Sequence, residues 1–416
     1  MQAKELKKTS FLDYSILIPY LILAVFGLVM VFSTSVPAQL VAGAVGYNIY
    51  RPFITQAAFF ILSLVIMFVV YRMKIRALKS SSMLAVFIPL EIILLIVARL
   101  APAVNGAHGW ISIPGIGTIQ PAEFLKIFVV WYLASIFSKR QSEIRKEDIR
   151  AVFEKKKWYE NIFSGWRLPI VIMIAIVYLM PDMGNVIIIA VITLTLIAVS
   201  GISYKWASGY ARVALGLVAI LIAAIFATGG NLIPGSYMNN RFKAFINPFP
   251  GIFSYGRQMA NSYYAMSNGG WVGRGLGNSI EKKGYLSEAS TDFIFPVTIE
   301  ELGVIGGILI LGVLFFMILR ILLVGIRARD PFNSMIAIGV GVMFLVQTFV
   351  NVGGATGIIP ETGVTFPFLS QGGSSLFVLS VAIALVLNVA AHEKLLELNE
   401  LSATVRQTNL QSVHYH

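Results

Sequence analysis

The chain has 416 residues, of which 57% are hydrophobic and only 12% are charged, and its formal net charge is +12. Because soluble domains carry about 25% charged residues, this composition excludes a soluble protein with an ordinary polar surface. The chain has no cysteine, and its four histidines form no HExxH motif, which excludes disulfides, thiolate chemistry and the common zinc-hydrolase sites.

Ten segments of the chain reach or approach the length of about 20 apolar residues that a membrane span needs. Residues 168–200 could form one long run, but Pro181 and Asp182 predict a tight turn that divides it. The sequence therefore predicts an all-α, polytopic integral membrane protein with about ten transmembrane helices. We expect the helices at 13–33, 54–72, 82–100, 121–138, 168–181, 184–200, 206–228, 300–324, 333–352 and 374–392.

Basic residues are concentrated in alternate connections, and this pattern predicts the orientation of the chain. With the N-terminus inside, the inside segments hold 22 of the 32 lysines and arginines, nine of them from Lys139 to Arg167. This bias predicts that both termini are cytoplasmic. It also explains the net charge through contact with anionic membrane lipids, so we expect no nucleic acid partner. No small-residue cleavage site follows the N-terminal lysines, so we expect the first helix to remain as an anchor.

One predicted outside loop, at 229–299, departs from this pattern because it is about 70 residues long and carries six basic residues. Loops of this length are usually functional or disordered, and its many aromatic residues argue against disorder. A second outside loop, 353–373, is rich in glycine and contains no lysine or arginine. We expect the active site where the two loops meet. Residues 1–416 form a single membrane domain, with the 139–167 loop and the 393–416 tail in the cytoplasm.

Glu123 and Lys126 are ionisable residues at the start of the fourth span. Their i, i+3 spacing places them on one helix face, and charges in a membrane are costly unless they are paired. Two interpretations remain open: an internal ion pair that positions helices, or a pair that lines a cavity and contacts the substrate.

Asp292 lies where the eighth span begins, and its side chain could be a helix N-cap. Glu300 follows eight residues later, about 12 Å along a helix and roughly on the same face, so the two carboxylates suit proton handling at a membrane mouth. Pro296 would break the helix between them. Further along, Gly303 and Gly307 predict a close-packed helix face.

Two glycine-rich runs flank this region. The glycines in 269–277 do not have the spacing of a phosphate-binding loop, and we expect them to allow close backbone packing or to expose N–H groups to a ligand. Gly372 and Gly373 precede Ser374 and Ser375, and this run predicts a turn with a helix N-cap.

Three groups of residues, spread over most of the chain, form the most specific pattern in the sequence. They are Asn105, Gly106, Ala107, Trp110, Gln120, Pro121, Ala122, Glu123 and Lys126; then Arg241, Asn247, Pro248, Gln258, Ser262, Asn278, Ser279, Lys282, Tyr285, Leu286, Glu288, and Thr291 to Phe295; then Asn351, Gly357, Pro360, Thr362, Gly363, Pro367, Phe368, Ser370 and 372–375. In their order, spacing and position among the spans, these residues resemble the FtsW/RodA/SpoVE family of peptidoglycan glycan-strand polymerases.

The resemblance implies a peptidoglycan glycosyltransferase that polymerises lipid II outside the cytoplasmic membrane, at the division septum, with a class B penicillin-binding protein and other divisome membrane proteins. Asp292 matches the family's essential aspartate, which implies a general base that takes the proton of the acceptor's GlcNAc 4-hydroxyl. Arg241 and Lys282 are candidates to stabilise the pyrophosphate leaving group, a task that a divalent cation, Mg²⁺ or Mn²⁺, could share. The predicted substrate-binding residues are Arg241, Lys282, Gln258, Glu288, Glu300, Lys126, Glu123, Ser374 and Ser375.

The sequence departs from the family pattern near Asp292, because Ser290 stands where histidine is frequent and Ser287 where proline is common. A histidine-assisted proton relay is therefore not expected. Two alternative functions stay open: a lipid II flippase, which ten spans and a Pro-Asp break would suit, and a non-catalytic septal scaffold. The chain looks closest to the division-type branch of the family.

Overall fold

The computed structural model describes residues 11–41, 50–102, 109–113, 117–152, 165–232 and 237–413. Its helices are α1 (Tyr14–Val41), α2 (Arg51–Arg72), α3 (Ile75–Leu78), α4 (Ser81–Leu100), α5 (Pro121–Lys139), α6 (Gln141–Glu147), α7 (Ile149–Val152), α8 (Arg167–Leu179), α9 (Met183–Val199), α10 (Tyr204–Ala227), α11 (Tyr237–Ile246), α12 (Arg257–Gly269), α13 (Ile294–Arg327), α14 (Pro331–Thr356) and α15 (Gly373–Val413). A 3₁₀ turn covers Phe249–Gly251, and β1 (Ile111–Ile113) pairs antiparallel with β2 (Gly117–Ile119).

Among the described residues, eight helices are long and apolar enough to cross a membrane: α1, α2, α4, α5, α10, α13, α14 and α15. Two shorter apolar helices, α8 and α9, occupy the positions of the remaining two predicted spans. The predicted all-α membrane fold is confirmed. The hairpin of β1 and β2 was not predicted, and the motif at Asn105 lies outside the described residues.

The break at Pro181 and Asp182 is confirmed. Asp182 caps α9, because its carboxylate accepts a hydrogen bond from the backbone N–H of Asn185 at 3.1 Å. The beginning of α8 lies near α7, where the Trp166 indole donates to the carbonyl of Val152. The turn lies at the other end of the bundle, where Gln120 donates to Asp182 at 2.9 Å. The two helices therefore form a hairpin that runs to one end of the bundle and back.

The centre of the bundle consists of α5, α14 and α15, which are mostly buried, whereas α10 lies at the periphery and is almost entirely exposed. Leu125, Val129, Leu133 and Phe137 of α5 are fully buried. Burial on all sides explains why apolar residues occur on every face of these helices.

The structure corrects two predictions about α13. Pro296 lies in the first turn of the helix, where the missing N–H is tolerated, and the helix runs through it. The break comes instead at Gly303, whose φ of 73° is a left-handed conformation that favours glycine. A side chain there would collide with the backbone of Trp271. Gly303 therefore breaks the helix, and it does not form the predicted helix-packing face with Gly307.

The glycine-rich segment 269–277 packs against this break. Gly270 and Trp271 accept hydrogen bonds from the N–H groups of Val304 and Ile305, at 2.9 and 3.2 Å. A Cβ at Gly269 or Gly273 would lie 2.1 or 2.3 Å from a carbonyl oxygen of α13. The prediction that these glycines allow close backbone packing is confirmed.

Candidate active site

The two predicted outside loops meet at one end of the bundle, which we call the outer end. Arg241 on α11 donates from Nη1 to the backbone carbonyl of Glu361 at 3.2 Å, and its Nη2 lies 3.8 Å from the Glu361 carboxylate. Ser262 on α12 donates to the carbonyl of Ala355 at 2.6 Å. The expectation that the 229–299 and 353–373 loops meet is confirmed.

Asp292 lies in this junction, two residues before α13. Phe293, not Asp292, occupies the N-cap position, so the capping interpretation of Asp292 is wrong. A Cβ built on Gly363 would lie 3.6 Å from Oδ2 of Asp292 and 3.4 Å from Nη2 of Arg241. Gly363 therefore lies between the carboxylate and the guanidinium, and a glycine there keeps the space between them open.

Hydrogen bonds to the backbone fix the position of Asp292. The Asn351 amide on α14 donates to the carbonyls of Asp292 and Val364, at 2.9 and 2.7 Å. The Ser370 hydroxyl donates to the carbonyl of Thr291 at 2.6 Å. The 353–373 loop is therefore fastened to Thr291 directly and to Asp292 through Asn351. Within the described residues, the Asp292 carboxylate itself makes no hydrogen bond and remains available to a ligand.

The surroundings of Asp292 favour its neutral form. Burial, and after it the carboxylates of Glu361 and Glu288, raise the pKa of Asp292 to about 7, although Arg241 acts in the opposite direction. Burial also raises the pKa of Glu361, which Arg241 partly offsets. A carboxylate that titrates near neutral pH can take up a proton and release it again, which suits general base catalysis.

Glu361 is a site residue that the sequence did not predict, and neither Asn351 nor Asp182 was predicted to lie near the site. Asp182 lies close enough for its charge to act on Asp292, and a Cβ built on Gly184 would lie 3.2 Å from Thr362. The Pro-Asp turn therefore belongs to the surroundings of the site. The sequence did carry a signal for Glu361, because this acidic residue lies in a loop that has no basic residue.

The structure favours the internal ion pair for Glu123 and Lys126. Both side chains are buried, and Lys126 Nζ lies 2.8 Å from Glu123. Lys126 also donates to Gln347 on α14 at 2.9 Å, and Ser375 on α15 donates to Glu123 at 3.0 Å. The pair therefore joins α5, α14 and α15 inside the bundle.

Lys282 lies in a buried ion pair with Glu301, whereas Arg241 contacts Glu361. The Nζ of Lys282 lies 2.6 Å from Glu301 and donates to Ser33 on α1 at 2.8 Å. Both charged side chains are almost completely buried. Because Glu301 already neutralises the ammonium group, the geometry favours a structural role for Lys282 over the predicted contact with pyrophosphate.

Glu300 is likewise engaged by the protein. Its carboxylate accepts hydrogen bonds from the Ser279 hydroxyl at 2.5 Å, from the Ile280 and Glu281 N–H groups and from the Asn268 amide. Four donors hold Glu300 as an anchor for the 229–299 loop. The structure does not bring it to Asp292, and the predicted pair of proton-handling carboxylates is not formed.

The remaining predicted residues are distributed around the outer end. Glu288 is exposed and accepts from the Thr291 hydroxyl at 2.8 Å. Gln258 lies in the first turn of α12 and is half-buried. Ser374 and Ser375 lie in the first turn of α15, as the predicted helix start requires. Only Glu288 of these four acts electrostatically on Asp292.

In the described part of the chain, no three histidine, aspartate or glutamate side chains lie close enough together to hold a metal ion. Asp292 and Glu361 provide two carboxylates in one recess. Mg²⁺ is commonly bound by one or two carboxylates together with substrate phosphates, so these two residues fit a cation that arrives with a phosphorylated substrate.

Comparison with known proteins identifies close relatives over nearly the whole chain. It is 56% identical over 408 residues to the "Probable peptidoglycan glycosyltransferase FtsW" of Lactococcus lactis subsp. lactis (strain IL1403), covering 95% of this chain and 96% of the relative. It is 34% identical over 388 residues to the Bacillus subtilis (strain 168) protein of the same name, covering 92% of this chain and 91% of that relative.

Solved structures share the fold at lower sequence identity. One is a chain from "Structural coordination of polymerization and crosslinking by a peptidoglycan synthase complex", with a TM-score of 0.68 at 21% identity, covering 92% of this chain and 98% of that one. Another is the Rod shape determining protein RodA of Thermus thermophilus, with a TM-score of 0.61 at 20% identity, covering 92% of this chain and 97% of that one. The family model described as "Cell cycle protein" (FtsW/RodA/SpoVE) matches residues 14–395. The helical bundle, the residues around Asp292 and these matches together establish that the chain belongs to the FtsW/RodA/SpoVE family.

Proposed function

We propose that this protein is a peptidoglycan glycosyltransferase that polymerises lipid II into glycan strands at the outer face of the cytoplasmic membrane. The observation that carries the proposal is the Asp292 carboxylate, which makes no hydrogen bond within the described residues and shares the surroundings of Gly363 with Arg241. Burial raises the pKa of this carboxyl group to about 7. The names of the relatives that match over almost the whole chain support the same activity.

Asp292 acts as the general base of the reaction. It takes the proton of the acceptor's GlcNAc 4-hydroxyl while that oxygen forms a bond to the anomeric carbon of the donor. The bond from this carbon to the pyrophosphate oxygen breaks, and undecaprenyl pyrophosphate leaves as an anion. Positioned bases of this kind contribute about 10²- to 10⁴-fold to the rate.

Arg241 stabilises the negative charge that develops on the leaving group. Its guanidinium can donate two parallel hydrogen bonds to phosphate oxygens, and its Nη2 lies 3.8 Å from the Glu361 carboxylate. Mg²⁺ or Mn²⁺ held by Glu361 and the phosphates would supply further positive charge there.

A class B penicillin-binding protein is the proposed partner, and the division septum is the proposed location. The similar chain in a peptidoglycan synthase complex supports the partner. The resemblance to proteins named FtsW supports the division role.

The direct test gives purified protein, with and without the partner, labelled lipid II and separates the products on a gel. We expect a ladder of glycan polymers that needs Asp292. Lipid II that crosses vesicle membranes without being polymerised would instead support the flippase. An inactive protein that still binds its partner would support the scaffold.

A further inference from the structure

A second, larger cavity opens at the outer end beside the recess of Asp292. Its volume is about 340 Å³, against about 10 Å³ for the recess. Its walls are the outer end of α1, the first turn of α2, the 282–290 segment and Gln371. Ligand cavities in proteins commonly measure about 300–1,000 Å³, so this cavity has room for a ligand and the recess does not.

The cavity presents polar groups that the protein does not satisfy. Within the described residues, the Ser290 hydroxyl and the Nε2 amide of Gln371 make no hydrogen bond, while the Gln371 oxygen receives only a long contact from Ser35, at 3.5 Å. Hydroxyl and amide groups of this kind donate to and accept from the hydroxyls of a sugar.

The charges around the cavity disfavour an anion. Lys282 lines it, but Glu301 neutralises the ammonium at 2.6 Å. The other charged side chain among the described lining residues is Glu288, which is exposed and negative. A pyrophosphate would meet no unpaired cation here, whereas an uncharged saccharide would meet donors and acceptors.

The cavity and the recess share one wall. Ser290 lines the cavity and Asp292 lines the recess, and two residues of chain span at most about 7 Å. The wall is held in place because Gln371 N–H donates to the Ser290 carbonyl at 2.7 Å and Ser370 donates to the Thr291 carbonyl at 2.6 Å. The Cα of Asp292 therefore lies within about 7 Å of the Cα of Ser290 at the edge of the cavity.

We propose that this cavity binds the acceptor saccharide, an assignment that rests on the proposed transferase function. A reaction that joins two sugars needs one site on each side of the base. Arg241 provides the cation for the departing pyrophosphate, so the neighbouring cavity, which offers no unpaired cation among its described lining residues, holds the sugar whose hydroxyl gives its proton to Asp292.

The test measures the donor and the acceptor separately in a reaction that couples one donor to one acceptor. The donor is a lipid II analogue whose terminal sugar carries an inverted 4-hydroxyl and cannot be extended, and the acceptor is a GlcNAc–MurNAc methyl glycoside, which has no leaving group. Gln371→Ala removes one donor and keeps the backbone bond to Ser290. Ser35→Leu reduces the volume from the opposite wall, and Ser254→Leu, on the exposed outer loop, is the control.

We expect Gln371→Ala to raise the KM for the acceptor about three- to tenfold, the effect of one lost hydrogen bond, and to leave the KM for the donor within about twofold. Ser35→Leu should act in the same direction more strongly, and the control should behave as wild type. An unchanged acceptor KM in Gln371→Ala, or an increase confined to the donor, would overturn the assignment. Wild-type protein that makes no coupled product would refute the proposed function itself.

Discussion

The clearest consequence of the site is the pH dependence of polymerisation. The base must be ionised to accept a proton, and the pKa of Asp292 is about 7. Below this value the ionised fraction falls about tenfold per pH unit. The initial rate at about pH 6 should therefore be about one-tenth of its plateau at about pH 8.

The pH at which the rate falls can be changed by replacing a neighbour of Asp292. Glu361→Gln removes the negative charge that, after burial, contributes most to the raised pKa of Asp292. It also removes the carboxylate that faces Arg241. Both changes favour the ionised form of Asp292, so the fall in rate should move to lower pH.

The assay measures initial rates of polymer formation on labelled lipid II from about pH 5.5 to 8.5, with folding checked at each pH. Glu143→Gln is the matched control, because Glu143 pairs with Arg140 on the predicted cytoplasmic side and should leave the profile unchanged. A rate that does not depend on pH below 7, or a profile that moves to higher pH in Glu361→Gln, would refute the reasoning.

Three further predictions follow from the same geometry. Arg241→Ala should lower turnover about 10²- to 10³-fold, as the loss of an oxyanion donor does. The turnover of Arg241→Lys should lie between that of Arg241→Ala and that of wild type. Normal turnover in both variants would place the pyrophosphate elsewhere. Glu301→Gln should destabilise the protein by about 3–5 kcal/mol in thermal or denaturant unfolding, because it leaves the Lys282 charge buried and unpaired. Adding Lys282→Met to the same chain should restore most of the lost stability. An unchanged unfolding midpoint in Glu301→Gln would show that the pair is solvated. A membrane-impermeant thiol reagent should label Ser254→Cys and spare Ser142→Cys in intact cells, and labelling of both would contradict the predicted orientation.

Hydropathy located the spans closely because it depends only on local composition. The third span was expected at 82–100, and α4 covers Ser81–Leu100. The eighth span was expected from residue 300, but α13 begins at Ile294 because a proline in the first turn of a helix does not stop it.

Tertiary contacts explain the errors. Nothing near Lys282 in the sequence shows that Glu301, 19 residues later, and Ser33, 249 residues earlier, enclose its side chain. The left-handed conformation of Gly303 likewise follows from the glycine-rich segment packed against it. The meeting of the two outer loops was foreseeable from their length and composition, but the residue that joins them, Glu361, was not.

The central claim is that Asp292 is the base of glycan polymerisation, and the most direct measurement compares Asp292→Asn with wild type in the lipid II polymerisation assay. Because the fold raises the pKa of Asp292 above its usual 3.8, ionisation of this residue costs stability as the pH rises through 7. The asparagine variant should therefore unfold at the same or a higher temperature than wild type at about pH 8. We predict a folded protein that binds its partner and makes no polymer. Polymer at the wild-type yield from this variant would contradict the account.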